Sequence, residues 1–162
     1  MLSRPRDGWT TFSLGKTVRY PLSFLTDVAV DWLTQAIHGL ETEDVFSVHG
    51  FCEPGRMVCT VSYWSCYVFF EDDGPAPTCE DVSHLHVNML EFCRQLHSDI
   101  SRDLDAWVCW DEDLLESDSD DCGESGPNAP LEKRRRLLTS KLERLEMLIR
   151  EKEESFDGGS FF

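Results

Sequence analysis

The amino-acid sequence predicts an α+β fold, in which an antiparallel sheet of about four strands carries two helices on one face and a C-terminal amphipathic helix follows. Three observations support this prediction. Short aromatic and β-branched runs are separated by turn signals. Longer segments repeat apolar residues every three or four positions. A leucine-striped segment follows an acidic stretch that has almost nothing apolar to bury.

Four runs rich in aromatic and β-branched residues predict the strands. These runs are 9–14, 45–51, 57–63 and 66–70. The last three form a meander whose turns are Pro54-Gly55 and Trp64-Ser65, and the charged segment 71–75 ends it.

Two helices are predicted within the first 116 residues. The first follows a cap at Thr26 or Asp27, and its apolar residues at helical spacing are Val30, Leu33, Ile37 and Leu40. The second is predicted from about Glu80 to Trp110, because one apolar stripe runs through the whole segment. The residues of that stripe are Val82, Leu85, Met89, Phe92, Leu96, Ile100, Leu104 and Val108.

The charge of the chain excludes several kinds of partner. It has 162 residues, with 31 Asp and Glu against 15 Lys and Arg, for a net charge of −16. Such a surface repels nucleic acids and anionic lipids. No stretch approaches the roughly 20 apolar residues that a membrane span needs, and the first eight residues have no apolar signal region. We therefore expect a cytoplasmic protein that binds neither nucleic acid nor membrane.

The charge is unevenly distributed, which predicts four parts. Residues 1–116 form an acidic α+β domain with a net charge of −13. Residues 117–129 carry four acids and no bases and are expected to be a disordered linker. Residues 130–154 form the amphipathic helix, and residues 155–162 form a disordered tail.

Catalytic, cofactor and metal motifs are not found in the sequence. The seven cysteines include no Cys-x-x-Cys pair, so we expect reduced, mostly buried thiols. On the predicted second helix His84 and His86 would point in different directions and could not share a metal ion. No nucleophile elbow or phosphate-binding loop occurs. The sequence therefore predicts a non-enzymatic protein without a cofactor.

Acidic clusters and two tryptophans form the candidate partner-binding set. A surface that combines aromatic anchors with carboxylates suits a basic protein partner. The candidates are Glu71, Asp72, Asp73, Trp107, Trp110, Asp111, Glu112 and Asp113. The alternative is that both tryptophans complete the core and the acids only solvate its edge.

The C-terminal helix carries a second candidate surface. Its stripe consists of Leu131, Leu138, Leu142, Leu145 and Ile149. A helix of about three heptads is too short to be secure alone, so it either docks on a partner or a second copy or folds back on its own domain. The basic run 133–136 is expected to pair within the chain, with the acidic linker, rather than with nucleic acid.

Three N-terminal segments are similar to segments of a known class of proteins. They are 4–9 (Arg-Pro-Arg-Asp-Gly-Trp), 20–28 (Tyr-Pro-Leu-Ser-Phe-Leu-Thr-Asp-Val) and 31–33 (Asp-Trp-Leu). With them, about the first 115 residues resemble small acidic bacterial proteins of toxin–immunity loci. The resemblance implies an inhibitor that binds a cognate toxin in the cytoplasm. The leading hypothesis is therefore an immunity-type inhibitor of a basic partner, and the alternative is an adaptor that oligomerises or docks through residues 130–154.

Overall fold

The computed structural model describes residues 1–110 and 129–157, and it confirms the α+β class. In chain order its elements are β1 (Trp9–Leu14), β2 (Val18–Ser23), α1 (Val28–Thr42), β3 (Phe46–Cys52), β4 (Gly55–Val61), β5 (Cys66–Glu71), β6 (Ser83–Leu85), α2 (Met89–Arg102), α3 (Leu104–Val108) and α4 (Ala129–Asp157). None of the helices in these two ranges is long and apolar enough to cross a bilayer.

The strands form two sheets rather than one. The order β3-β4-β5-β6 is antiparallel throughout, as the predicted meander requires, whereas β1 forms a separate sheet with β2 and is also bridged to Leu2. The sequence did not predict β2, because Pro21 lacks a backbone donor and marks the segment as unsuited to a central strand. The β1–β2 hairpin packs on the four-stranded sheet, where Leu22 meets Gly50 and Tyr20 stacks on Phe70 at 6.2 Å.

The prediction of one helix from Glu80 to Trp110 is wrong. Residues 83–85 form the edge strand β6, and α2 begins only after Asn88, whose side-chain oxygen accepts a hydrogen bond from the amide of Glu91 at 2.8 Å. A break at Asp103 then separates α2 from the short α3. The apolar spacing that suggested a single helix is shared by a strand, a cap and two helices.

Aromatic side chains join the helices to the sheets. Asp27 caps α1 by accepting a hydrogen bond from the amide of Val30, as predicted. From the next turn Trp32, fully buried, donates its indole N–H to the carbonyl oxygen of His49 at 2.8 Å and so protects the edge of β3. Its ring packs edge-on against Phe12 and faces Phe92. The core therefore lies between the hairpin, the four-stranded sheet, α1 and α2.

Helix α4 folds back on the domain, the second of the two alternatives raised by the sequence. Its stripe is turned inward: Leu138 and Leu145 are fully buried, Leu142 and Ile149 nearly so, and Leu131 is partly buried. The helix packs against α1, α2 and α3. The predicted linker, residues 117–129, lies outside the described residues except for its last position, as do residues 158–162 of the predicted tail.

Ion pairs also hold α4 in place. Four bases of α4 pair with acids of the domain, and one acid of α4 pairs with a base of α2. These pairs are Arg134–Asp27, Arg135–Asp105, Arg144–Glu41, Lys152–Glu43 and Glu153–Arg94. The basic run thus pairs within the chain, as predicted. The carboxylates with which it pairs in the described residues belong to the domain and not to the predicted linker.

Asp99 ties the start of the chain to α2. Its carboxylate accepts a hydrogen bond from the amide of Leu2 at 2.8 Å and pairs with the Met1 amino group and with Arg102. Burial raises the pKa of Asp99, but ion pairing with Met1 and the hydrogen bonds from Leu2 and Arg102 outweigh it, so the pKa lies below 3.8.

The lowered pKa of Asp99 predicts a specific acid sensitivity. Ionised Asp99 stabilises the fold above its unfolded-state pKa, near 3.8, and this contribution is lost as the pH falls through the lower folded-state value. We expect Asp99→Asn to be less stable than the parent at neutral pH, with a difference that shrinks towards low pH. Urea unfolding at several pH values checks this. Asp73→Asn, which removes one negative charge at an exposed position, is the control for the change in net charge.

Candidate protein-binding groove

The two tryptophans of the candidate set complete the core. Trp107 is fully buried and Trp110 nearly so, with ring centroids 5.2 Å apart. The indole N–H of Trp110 donates to the carbonyl oxygen of Thr26, and the carbonyl oxygen of Trp107 accepts from Arg134. In this arrangement neither ring is available to a partner, which corresponds to the alternative stated above.

The acidic members of the set are not brought to these tryptophans. Glu71 ends β5 and pairs with Arg56 at 2.7 Å, while exposed Asp72 accepts the amide of Gly74 within a turn. Asp73 is exposed beside it. Trp110 bonds to Thr26, whose hydroxyl accepts from the amide of Phe51 in β3, and β4 lies between β3 and β5. The remaining candidates, Asp111, Glu112 and Asp113, lie outside the described residues.

The prediction that His84 and His86 lie on a helix and point in different directions is also wrong. His84 lies in β6 and His86 directly follows it, and in an extended chain alternate residues share a face. Their ring centroids lie 4.9 Å apart, and His84 stacks on Tyr67 at 4.8 Å. Within residues 1–110 and 129–157 no group of three His, Cys, Asp or Glu side chains is placed to hold a metal ion.

The described cysteines differ in burial. Cys59, Cys66 and Cys93 are buried, as expected of structural cysteines, Cys52 is half-buried, and Cys79 and Cys109 are exposed. Burial, with a smaller contribution from Cys66, raises the pKa of Cys93 to about 12. Such a thiol stays protonated and packs as a small apolar side chain.

A groove of about 570 Å³ opens where the C-terminal end of α1, the start of α2, the C-terminal part of α4 and the β4–β5 turn meet. We call it the Trp64 groove. Its lining residues are Gly39, Leu40, Glu43, Tyr63, Trp64, Asn88, Met89, Leu90, Arg94, Lys152, Glu153 and Ser155. The sequence predicted a turn at Trp64 but no site there. The only local signal was a pair of adjacent aromatic residues in a turn.

The turn holds Trp64 in an exposed position. The hydroxyl and the amide of Ser62 both donate to the carbonyl oxygen of Ser65, at 2.8 and 2.9 Å, and the amide of Ser65 donates back to the Ser62 hydroxyl at 3.2 Å. The ring of Tyr63 packs edge-on against Trp64 at 4.7 Å. Trp64 is nevertheless 77% exposed, more than any other large apolar residue that the structure describes. Because these hydrogen bonds already order the turn, binding through Trp64 costs little backbone conformational entropy.

Ion pairs form the rim of the groove. The guanidinium of Arg94 lies 2.5 Å from a carboxylate oxygen of Glu153, and Lys152 pairs with Glu43. The hydrogen bond and the charge of Lys152 lower the pKa of Glu43. The buried side chains of Leu40 and Met89 form the apolar floor of the groove. An apolar centre inside a polar, charged rim is the usual composition of a protein-binding site.

Comparison of the chain with models of known protein families, with curated proteins and with solved structures gives no match. A functional proposal therefore depends on the groove itself.

Proposed function

We propose that this chain is a non-enzymatic protein-binding module that holds an apolar segment of a cationic partner in the Trp64 groove. The observation that supports the proposal is the 77% exposure of Trp64 on an ordered turn beside an apolar floor. Tryptophan is among the residues most enriched at binding hot spots, where it fills or covers an apolar pocket. Large exposed apolar side chains that adjoin a groove are typical of interaction sites.

Charge supports a cationic partner. The chain carries a net charge of −16, and the two bases of the groove, Arg94 and Lys152, are each already paired with a carboxylate. Glu91 and Glu154 add negative charge next to lining residues in the sequence. A basic partner would therefore be attracted over long distance and would meet no unpaired cation at the rim.

The resemblance of the first 115 residues to immunity-type proteins favours a toxin as that partner, with both proteins in the cytoplasm. Oligomerisation through residues 130–154, the alternative function, finds no support in the groove. It would require the buried stripe of α4 to leave the domain and would remove one wall of the site.

A peptide selection tests the proposal through Trp64. We expect peptides selected on the full chain from a random phage-displayed library to combine an aromatic or leucine anchor with Lys or Arg. Trp64→Ala should weaken binding of the synthesised peptides by about 30-fold or more, which is the loss typical of a hot-spot residue. Trp9→Ala is the matched control, because Trp9 is 46% exposed but lies on the hairpin. Isothermal titration calorimetry measures both variants.

Salt dependence tests the charge of the partner separately. Affinity should fall as the ionic strength rises, because the attraction to Lys and Arg is screened. Peptides that bind Trp64→Ala as tightly as the parent would overturn the site. Selected peptides that are acidic, or binding that salt does not change, would overturn the cationic partner while leaving the groove in place.

A further inference from the structure

The outer face of the four-stranded sheet carries apolar side chains among polar ones, whereas an uncovered face is usually polar throughout. On β4 and β5 the inner residues are buried or half-buried, whereas the outer ones are half-buried or exposed. The outer residues of these two strands are Arg56, Val58, Thr60, Tyr67, Phe69 and Glu71. From Cys66 to Phe70, β5 is thus apolar on both faces, a pattern typical of strands that are covered on both sides.

The strand register makes this face self-complementary. Across β4 and β5 the pairs are Arg56 with Glu71, Val58 with Phe69 and Thr60 with Tyr67. Consider a two-fold axis that lies above the outer face, parallel to β4 and β5 and midway between them. Rotation about this axis would place β4 of one copy over β5 of the other. Each residue would then face its own cross-strand partner in the second copy: base against acid, apolar against apolar, and hydroxyl against hydroxyl.

We propose that two copies of the chain pair face to face through this outer sheet face, with β4 of each copy over β5 of the other. Charge favours this face for self-association. Two chains of net charge −16 repel each other over most of their surfaces, but the outer residues of β4 and β5 carry one base and one acid, already paired at 2.7 Å. The same two charges become intermolecular pairs in the dimer.

The contact area predicts a reversible dimer. The face measures roughly 20 Å along the strands and 15 Å across them, which is below the size of a permanent interface of about 800 Å² per partner. Packed sheets align within about 30° of each other, so the side-chain rows nearest the axis remain opposed. We expect a dissociation constant in the micromolar range and a dimer that is more populated at moderate salt, where repulsion between the two chains is screened.

Charge reversal gives a sharp test by sedimentation equilibrium of the full chain. Arg56→Glu places two acids opposite two acids, and Glu71→Arg places two bases opposite two bases. We expect each variant to weaken its own dimer by about tenfold or more, as like charges across an interface do. Mixing the two variants should restore association, because every base in one chain then faces an acid in the other. The double variant should restore the homodimer.

The controls separate this contact from general effects. Arg19→Glu, an exposed change on β2, lowers the net charge as much as Arg56→Glu and should leave the dimer intact. Thermal unfolding shows whether each variant is folded. A further variant, Val58→Glu in the middle of the face, should also abolish association. A parent chain that stays monomeric at every concentration and salt tested overturns the proposal. So does a dimer that survives Val58→Glu, or a mixture of the two charge variants that does not associate. The test does not depend on the Trp64 groove, since Arg56, Val58 and Glu71 are not among the residues that line it.

Discussion

Replacing Leu145 with alanine is expected to lower the free energy of unfolding by about 3 kcal/mol, within the range found for leucine truncation in a core. Leu145 is fully buried on the face of α4 that packs against the domain. Truncation removes apolar contacts and leaves a cavity, because the neighbouring side chains relax only partly. Urea unfolding followed by circular dichroism measures the change.

A second leucine of the same helix gives the matched control. Leu137 is 45% exposed, so Leu137→Ala should change the free energy of unfolding by less than about 1 kcal/mol. The difference between the two variants reports which face of α4 is docked. Equal losses would contradict the packing of the helix described above.

Replacing Arg134 with alanine should destabilise the protein by about 2 kcal/mol, which is less than the loss of one partner from a fully buried pair because Asp27 is 34% exposed. The side chain is only 11% exposed and donates three hydrogen bonds, to the cap of α1 and to α3. Two go to the carboxylate of Asp27, at 2.5 and 2.9 Å, and one goes to the carbonyl oxygen of Trp107 at 3.2 Å. Alanine leaves both acceptors without this partner, and Asp27 also caps α1.

Arg136, two residues further along the same basic run, provides the control. It is exposed, so Arg136→Ala should cost less than about 0.5 kcal/mol. Hydrogen exchange should show faster opening of α4 amides in Arg134→Ala than in Arg136→Ala. If the two variants lose stability equally, the Asp27–Arg134 pair does not hold the helix.

Docking of α4 has a consequence for the candidate site. Lys152, Glu153 and Ser155 form one wall of the Trp64 groove, so the groove is complete only while the helix is in place. Variants that loosen α4 should therefore also weaken peptide binding, although Arg134 itself does not line the groove. Arg134→Ala leaves Trp64 unchanged. Weaker peptide binding by this variant would therefore show that the groove depends on the docking of α4.

Local sequence signals predicted the elements that depend on short-range chemistry. Asp27 caps α1, and the three-stranded meander follows the runs of apolar residues and the Pro54-Gly55 turn. The missed elements had conflicting local signals. Pro21 is unfavourable in a central strand, so β2 was not predicted. Val82 and Leu85 fitted a helical stripe, although the chain is extended at β6. Helical and strand spacing overlap over three residues, so only pairing with β5 decides between them.

The sequence by itself determined the α+β class, the apolar stripe of α4 and the division of charge between an acidic domain and a slightly basic helix. Only the tertiary structure decided what that stripe covers and which tryptophans are accessible. Trp64 and Trp107 are the same residue type in comparably apolar segments, yet one is 77% exposed and the other is fully buried. Burial depends on contacts made by residues far apart in the chain, and three of the five ion pairs between α4 and the domain join positions about a hundred residues apart. Local composition does not contain that information.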